Sequence, residues 1–400
     1  MQMEPTSTKT WVEVAGGLLR LGATSYGGPA IIGVMQAELQ EKRGWVSKPR
    51  FLEGLAVANM LPGATATQLG IFLGYSRGGA WGGLLGGICF VFPAFVIMFA
   101  LTIAYARLGV TPVVRGALYG LGPIVLGLYA VALCRLGQSA MGSAREGAIG
   151  LLAAAASIAT QLGIVAILLL AGIAGLLLFR PARPNPVVIA VSALVVLGIV
   201  IASSRWPTFG LSEVVWRSAG PPTLWDIGAY FFTVGAFTVG GGLAMIAFIQ
   251  DQVVGQFGWL TPREFIDGLA LGQLTPGPVL MIAAYVGYKV AGLGGAVAAA
   301  VAAFLPSFLI MLGVLPVLDR VRKLVSIRAM MKGMAPAVIG VLTVSLFHLA
   351  PAALPDRFAV VVLVLTLLGV IVFRVGPFKL MVGGGAAGVL RGYLPALSRS

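Results

Sequence analysis

The chain of 400 residues has one histidine and two cysteines, and only 10% of its residues are charged. A lone His348 inside an apolar run excludes two-histidine metal motifs and gives a Ser-His-Asp arrangement no support. Cys89 and Cys134 both fall in apolar runs and read as buried thiols, not as a disulfide framework. No GxxxxGK[ST] loop is present, so ATP is not an energy source carried by this chain. The opening residues MQMEPTSTKTW lack a basic stretch followed by an apolar one, so no cleaved signal is expected. Carboxylates are scarce: none occurs between Glu53 and Glu146, or between Asp267 and Asp319.

What fills the chain instead is apolar. Hydrophobic residues make up 58% and the mean hydropathy is +0.98, far from a soluble domain with about 25% charge. The chain reads as a multi-pass integral protein of the cell inner (plasma) membrane. Apolar runs of roughly 15 to 25 residues recur from end to end, the length of helical spans; barrel strands would alternate over about 10. The net charge of +14 sits in short connectors such as Lys42, Arg43, Lys48 and Arg50. That placement fits cytoplasmic loops and anionic lipid heads, so the bilayer is the expected partner and nucleic acid is not.

One long stretch occurs twice. Leu21 to Pro29 (LGATSYGGP) returns as VGAFTVGGG from Val234, and Gly44 to Tyr75 returns from Gly258 to Tyr288. Trp45, Phe51, Gly54, Pro62 and Gly63 fall on Trp259, Phe265, Gly268, Pro276 and Gly277 at an offset of 214; Tyr75, Pro93, Arg115, Gly120 and Pro123 fall on Tyr288, Pro306, Arg328, Gly333 and Pro336 at 213. Glycine and proline set backbone shape, so a chain path with built-in breaks was duplicated. The expected organisation is a first repeat over 1–202, a linker over 203–222 and a second repeat over 223–400, all helical, with about 11 to 13 crossings.

Each half has two breaks. Tyr26-Gly27-Gly28-Pro29 and Gly240-Gly241-Gly242 interrupt the first span of each half; Pro62-Gly63 and Thr275-Pro276-Gly277-Pro278 divide a pair of short helices read as broken or re-entrant. Ser47 and the Thr261-Pro262-Arg263-Glu264 capping box start those helices. Gly82, Gly83, Gly86 and Gly87 predict close helix packing. The connector Glu38 to Glu53 carries four basic and three acidic residues, its equivalent Asp251 to Asp267 one basic and three acidic. Opposite charge bias suggests opposite sides of the membrane, as in inverted-topology repeats.

Matched, Gly/Pro-broken helices in a duplicated membrane protein are the sequence mark of a secondary transporter, with its site where the breaks meet. Helix ends exposed at a break offer N–H groups and positive dipole ends, which suit an anion. The breaks are lined by Thr24, Ser25, Asn59, Thr65, Thr67 and Gln68 in the first half, and by Thr238, Gln273 and Thr275 in the second. These side chains either contact substrate, together with Gly27, Gly28, Pro62, Gly63, Gly240, Gly241 and Gly277, or satisfy backbone freed by the kinks. Asn59 and Gln273 stand at equivalent positions three residues before each Pro-Gly. Glu53 and Asp267 are equivalent acids that could couple transport to protons; the bland reading is a first-turn carboxylate facing water. Arg115 and Arg328 start spans, as membrane-edge anchors or as attractors of an anion. No metal or cofactor is expected. A membrane-embedded enzyme or lipid-handling protein is the reading from another class, and no acid-plus-His or acid-plus-Arg cluster within one span favours it.

Tyr26-Gly27-Gly28-Pro29, the Gly-Trp-(Val/Leu)-(Ser/Thr) connector, Leu61-Pro62-Gly63 with Gln68, and Thr275-Pro276-Gly277-Pro278, within a tandem duplication of this length, resemble the two-domain chromate ion transporters. The resemblance covers most of the chain. It implies a membrane efflux protein that lowers cytoplasmic chromate, driven by the proton-motive force, conferring chromate resistance and built of two halves of opposite orientation. Sulfate or another tetrahedral oxyanion is the alternative substrate, and a homodimer is among the expected assemblies. The sequence departs from the family pattern at Tyr26, where phenylalanine is usual, at Ile32, often polar, and at Ala64-Thr65, where a proline and an acid are common.

Overall fold

The computed structural model describes residues 8–25, 28–108, 111–160, 162–179, 222–238, 244–318 and 325–393. Among these residues the chain forms fourteen helices and no strand. The first half comprises α1 (Thr8–Thr24), α2 (Gly28–Met35), α3 (Lys48–Met60), α4 (Thr65–Leu108), α5 (Pro112–Ala140), α6 (Ala144–Ala159) and α7 (Ile164–Leu178). The second comprises α8 (Leu224–Ala236), α9 (Ala244–Ile249), α10 (Pro262–Leu274), α11 (Ile282–Val314), α12 (Val325–Ala353), α13 (Arg357–Ile371) and α14 (Pro377–Tyr393). The correspondence extends past the identical residues. The π-helical turns Gln36–Lys42 and Gln250–Gln256 match at an offset of 214, and α5 and α12 begin and end 213 apart. The linker 203–222, apart from Pro222, lies outside the described residues, as do Tyr26, Gly27, Gly240, Gly241 and Gly242.

The caps expected from sequence are in place. The Ser47 hydroxyl accepts from Arg50 N–H, and Thr261 and Glu264 form the reciprocal capping box at the start of α10.

Among the described residues four helices are long and apolar enough to cross a membrane: Thr65–Leu108, Pro112–Gln138, Val279–Val317 and Ser326–Ala353. Two of them are not single rods. At Gly79 (φ 64°, ψ −157°) and Gly292 (φ 61°, ψ −147°) the backbone leaves helical geometry for a left-handed conformation that suits glycine. The chain reverses there. A Cβ at Gly74 would lie 2.3 Å from the Gly82 carbonyl oxygen, and one at Gly287 would lie 2.1 Å from that of Gly295. The glycine pairs therefore let two arms of one hairpin touch backbone to backbone.

The short helices before each Pro-Gly fold back as well. A Cβ at Gly54 would sit 2.3 Å from the Phe72 ring, and one at Gly268 would sit 2.5 Å from the Tyr285 ring. In a continuous helix residues 54 and 72 would be about 27 Å apart. So α3 with the first arm of α4, and α10 with the first arm of α11, are re-entrant hairpins whose tips are Pro62-Gly63 and Pro276-Gly277.

Equivalent helices meet across a pseudo-two-fold axis. Gly83 faces Leu312 and Gly87 faces Phe308, so the second arms of α4 and α11 run antiparallel. Tyr129 Oη donates to the Leu342 carbonyl at 3.3 Å, a contact between residues 213 apart and hence on the axis. Antiparallel equivalents that span the bilayer place that axis in its plane, which is inverted topology. The sequence repeats are not the packing units, however. Gly116 and Gly120 of α5 lie against Gly388 and Gly384 of α14, while Ala329 and Gly333 of α12 lie against Gly175 and Ala171 of α7. Each half thus lends its last described helix to the other.

One expectation about the thiols needs correction. Cys89 is buried, but Cys134 is exposed on α5; in a lipid-facing helix an apolar run does not imply a protein interior.

Candidate functional site

The two re-entrant tips dock crosswise. Gly63 N–H donates to the Thr238 carbonyl at 2.7 Å, and Gly277 N–H donates to the Ser25 carbonyl at 2.8 Å. Ser25 and Thr238 end the first helix of each half and are themselves 213 apart. Each Pro-Gly tip is therefore held by the broken first span of the opposite half. A contact of residue i with j, repeated as j′ with i′, is the signature of a two-fold arrangement.

The next backbone group along shows how the halves diverge. Ala64 N–H donates to Ser307 Oγ at 2.9 Å. In the second half the equivalent pair is Pro278 and Ala94. Proline has no N–H, so no hydroxyl is needed there, and the Ala94 methyl packs against the tip, 2.7 Å from where a Cβ on Gly277 would stand.

Polar atoms without partners collect at these tips. Ser25 Oγ, Thr67 Oγ1 and Gln68 Oε1 are buried and unpaired, on residues exposed by 2%, 0% and 0%. Gln68 Nε2 donates to the Pro62 carbonyl at 2.7 Å, which aims its amide at the tip. Thr65, Ala66 and Thr67 open α4, where N–H groups lack intrahelical acceptors, whereas the Gln68 N–H already donates to the Ala64 carbonyl at 2.9 Å. Buried hydroxyls and amides are ordinarily hydrogen-bonded, so unpaired ones here mark places a hydrated or anionic ligand can fill. The other threonines are engaged: Thr24 Oγ1 with Arg20 O, Thr238 Oγ1 with Val234 O, and Thr275 Oγ1 with Leu271 O. Thr65 is buried at the same helix start. Asn59 is exposed and Gln273 half-buried, and neither side chain has a hydrogen bond among the described residues.

The matched acids part company. Glu53 is half-buried and pairs with Arg50 at 2.7 Å. Asp267 is buried, against the expectation of a first-turn carboxylate in water. Its Oδ2 accepts from Tyr105 Oη at 3.2 Å, and its Oδ1 lies 3.3 Å from Arg263 Nε without hydrogen-bond alignment. The difference is local: Arg263 stands one turn before Asp267, whereas Pro49 stands at the matching place before Glu53. Beside Asp267 opens a cavity of about 470 Å³ that Arg115, Tyr119 and Arg263 also line. The repeat-equivalent Arg328 is exposed at the start of α12 and is not among its walls.

Ser307, Tyr105 and Arg263 carry this geometry and escaped the sequence reading. For Ser307 a signal existed: a hydroxyl opposite Ala94, immediately after the repeated Pro93 and Pro306. His348 is exposed, and the described residues hold no group of three or more His, Cys, Asp and Glu side chains placed to bind a metal.

Comparison with known proteins agrees with this architecture. The family model described as chromate transporter matches twice, over residues 12–197 and 225–389. The chain is 33% identical over 371 residues to a chromate transport protein of Cupriavidus metallidurans, covering 92% of this chain and 90% of that one. It is 32% identical over 334 residues to a chromate transport protein of Pseudomonas aeruginosa, covering 83% and 79%, and 25% identical over 338 residues to an uncharacterized transporter of Methanocaldococcus jannaschii, covering 80% of each. No solved structure matches. The paired breaks, the two hairpins and the duplicated match lead to one conclusion: this chain belongs to the chromate transporter family.

Proposed function

We propose that the chain is a secondary transporter that moves chromate, a tetrahedral oxyanion, out of the cytoplasm across the inner membrane at the expense of the proton-motive force, and so confers chromate resistance. The observation that carries this reading is the crosswise docking of the two re-entrant tips beside unpaired Ser25 Oγ, Thr67 Oγ1 and Gln68 Oε1. Hydroxyls of Ser25 and Thr67 donate to oxyanion oxygens, and the start of the α4 helix adds N–H groups and its positive dipole end. Gln68 Oε1 takes a proton-bearing oxygen, from water held with the anion or from a protonated anion. Gly28, Thr65, Thr238, Gln273 and Thr275 shape the site around the tips.

Alternating access follows from the pairing. Gly63 with Thr238 and Gly277 with Ser25 are equivalent latches on opposite sides of the pseudo-two-fold; a rocking motion that opens one while the other stays closed exposes the site to one face at a time. Asp267, held between Tyr105 and Arg263, is the coupling carboxylate, and the more exposed Glu53 serves less.

The test is flux into proteoliposomes of chromate and of labelled sulfate, under pH gradients of both signs. Chromate flux that responds to the gradient and falls at least tenfold in Ser25→Ala/Thr67→Val is expected. Flux indifferent to the gradient removes the proton coupling. Full flux in that double variant removes the site, and preference for sulfate reassigns the substrate.

A further inference from the structure

We propose that the cavity between the end of α4, the start of α5, α10 and the end of α12 is a second anion site, a one-sided vestibule that takes a tetrahedral dianion on Arg115 and Arg263 in competition with Asp267. The transport reading supplies only the identity of the natural anion. The cavity's volume of about 470 Å³ falls in the range of about 300 to 1,000 Å³ usual for small-ligand sites, with room for an anion and part of its water. Tyr105, Arg115, Tyr119, Arg263 and Asp267 face it.

Its cations are free to act. Arg115 has no ion-pair partner among the described residues. Arg263 Nε lies 3.3 Å from Asp267 Oδ1, and its terminal nitrogens make no side-chain hydrogen bond among the described residues, so they can present a fork to two oxygens of one anion. The Tyr119 face holds that guanidinium, 5.5 Å from the ring centre, and Arg391 stacks on the same ring at 4.4 Å.

Neighbouring charges are already paired off. Lys289 binds Glu264 at 2.7 Å, and Arg391 binds Asp356. Asp356 lies in the connector before α13; although burial opposes it, hydrogen bonds from Tyr119 and from Ala359 N–H hold its carboxyl below the ordinary range, so that pair persists. The net positive charge facing the cavity is that of Arg115, and Asp267 is the internal anion that occupies Arg263 when no ligand does. An arriving dianion takes the fork and leaves Asp267 to the Tyr105 hydroxyl. Because Asp267 belongs to the first arm of the hairpin tipped by Pro276-Gly277, occupancy of the vestibule is felt by the tip.

Among the described residues the opposite face has no counterpart. At equivalent positions stand Leu318 for Tyr105, Lys332 for Tyr119 and Pro49 for Arg263. A frame that repeats its backbone so closely carries this constellation once, which gives the two faces unequal anion affinity.

The experiment is equilibrium binding of labelled sulfate to the full-length protein in phosphatidylcholine nanodiscs, at constant ionic strength with chloride. It is run in the Ser25→Ala/Thr67→Val background so that the vestibule is read alone. Arg115→Gln and Arg263→Gln should each weaken binding at least tenfold, Arg263→Lys should restore part of it, and Asp267→Asn should strengthen it threefold or more. A gain of affinity cannot arise from misfolding, so Asp267→Asn keeps the test decisive if an arginine variant is not recovered. Sulfate binding unchanged in Arg115→Gln and Asp267→Asn overturns the vestibule. Full chromate flux in the background variant, with the vestibule still binding, instead overturns the central site and leaves this one standing.

Discussion

Ser307→Ala is the sharpest test of how the first tip is held. Ser307 is fully buried, and its hydroxyl oxygen accepts from Ala64 N–H at 2.9 Å. Removing that one oxygen leaves a buried backbone donor unpaired, at a cost of about 1 to 3 kcal/mol. The protein has an outlet for this cost, because the tip can undock and expose the N–H to water in the cavity. The same energy then appears as a shift of about 5- to 150-fold toward the undocked tip. Chromate transport in everted membrane vesicles should fall at least fivefold below saturation, at unchanged yield by fluorescence-detected gel filtration. Ala94→Ser is the control: its hydroxyl would face Pro278, which has no N–H to give, so it should neither impair transport strongly nor rescue Ser307→Ala. Wild-type flux and an unchanged melting midpoint in Ser307→Ala would show that Ala64 N–H finds water or another acceptor, and would refute the reasoning.

Gly63→Ala should abolish transport, since φ there is +126° and a Cβ would lie 2.5 Å from Gln68 Nε2 and 2.6 Å from Ser307 Oγ; Gly44→Ala, at φ +61° with open space around it, should cost only about 1 to 2 kcal/mol in a melting experiment and leave flux intact. Gly22→Ala and Gly235→Ala should both lower the yield of folded protein, because each Cβ would fall within 2.1 Å of a carbonyl oxygen, of Phe90 and Ala303 respectively. Arg115→Gln should reduce chromate flux at least tenfold and Arg328→Gln far less, because only Arg115 lines the cavity beside Asp267; equal losses in a vesicle assay would contradict that placement.

Much of the backbone was legible in the residues. Glycine and proline mark where a chain must turn or touch another backbone, and their repetition at 213 and 214 located both tips, while the capping residues marked the starts of α3 and α10; the reversals at Gly79 and Gly292 came from the structure. What pattern alone could not supply was direction: Pro62-Gly63 breaks a straight span as readily as it closes a hairpin, and only the contact of Gly54 with Phe72 decides. Nor could it assign the helices to packing partners, since an all-round apolar helix such as α7 reads alike against its own half or the other. Burial escaped for a related reason. In lipid an apolar neighbourhood does not distinguish an exposed Cys134 from a buried Cys89, and Asp267 and Glu53 share a sequence context while differing in what crosses over them.

The duplication explains why the side-chain differences matter. Identical breaks build two equivalent latches, and a frame of that kind would bind and release alike on both faces. The differences that bear on the tips and hairpins are local. Ala64 with Ser307 answers Pro278 with Ala94; Thr65, Thr67 and Gln68 stand where the second half has Val279, Met281 and Ile282; Asp267 with Arg263 answers Glu53 with Pro49. Unpaired Thr67 Oγ1 and Gln68 Oε1 thus lie at the first tip, with Ser25 Oγ where the first span holds the second, and a buried carboxylate with a loose arginine lies beside the second hairpin. On the proposals made above, a rocking motion of the symmetric backbone would meet different chemistry at its two ends: an anion-holding tip on one side of the axis and a charge-exchanging vestibule on the other. Direction in such a protein rests on these side chains, and swapping them between halves while leaving every glycine and proline in place should weaken or reverse net flux without disturbing the fold.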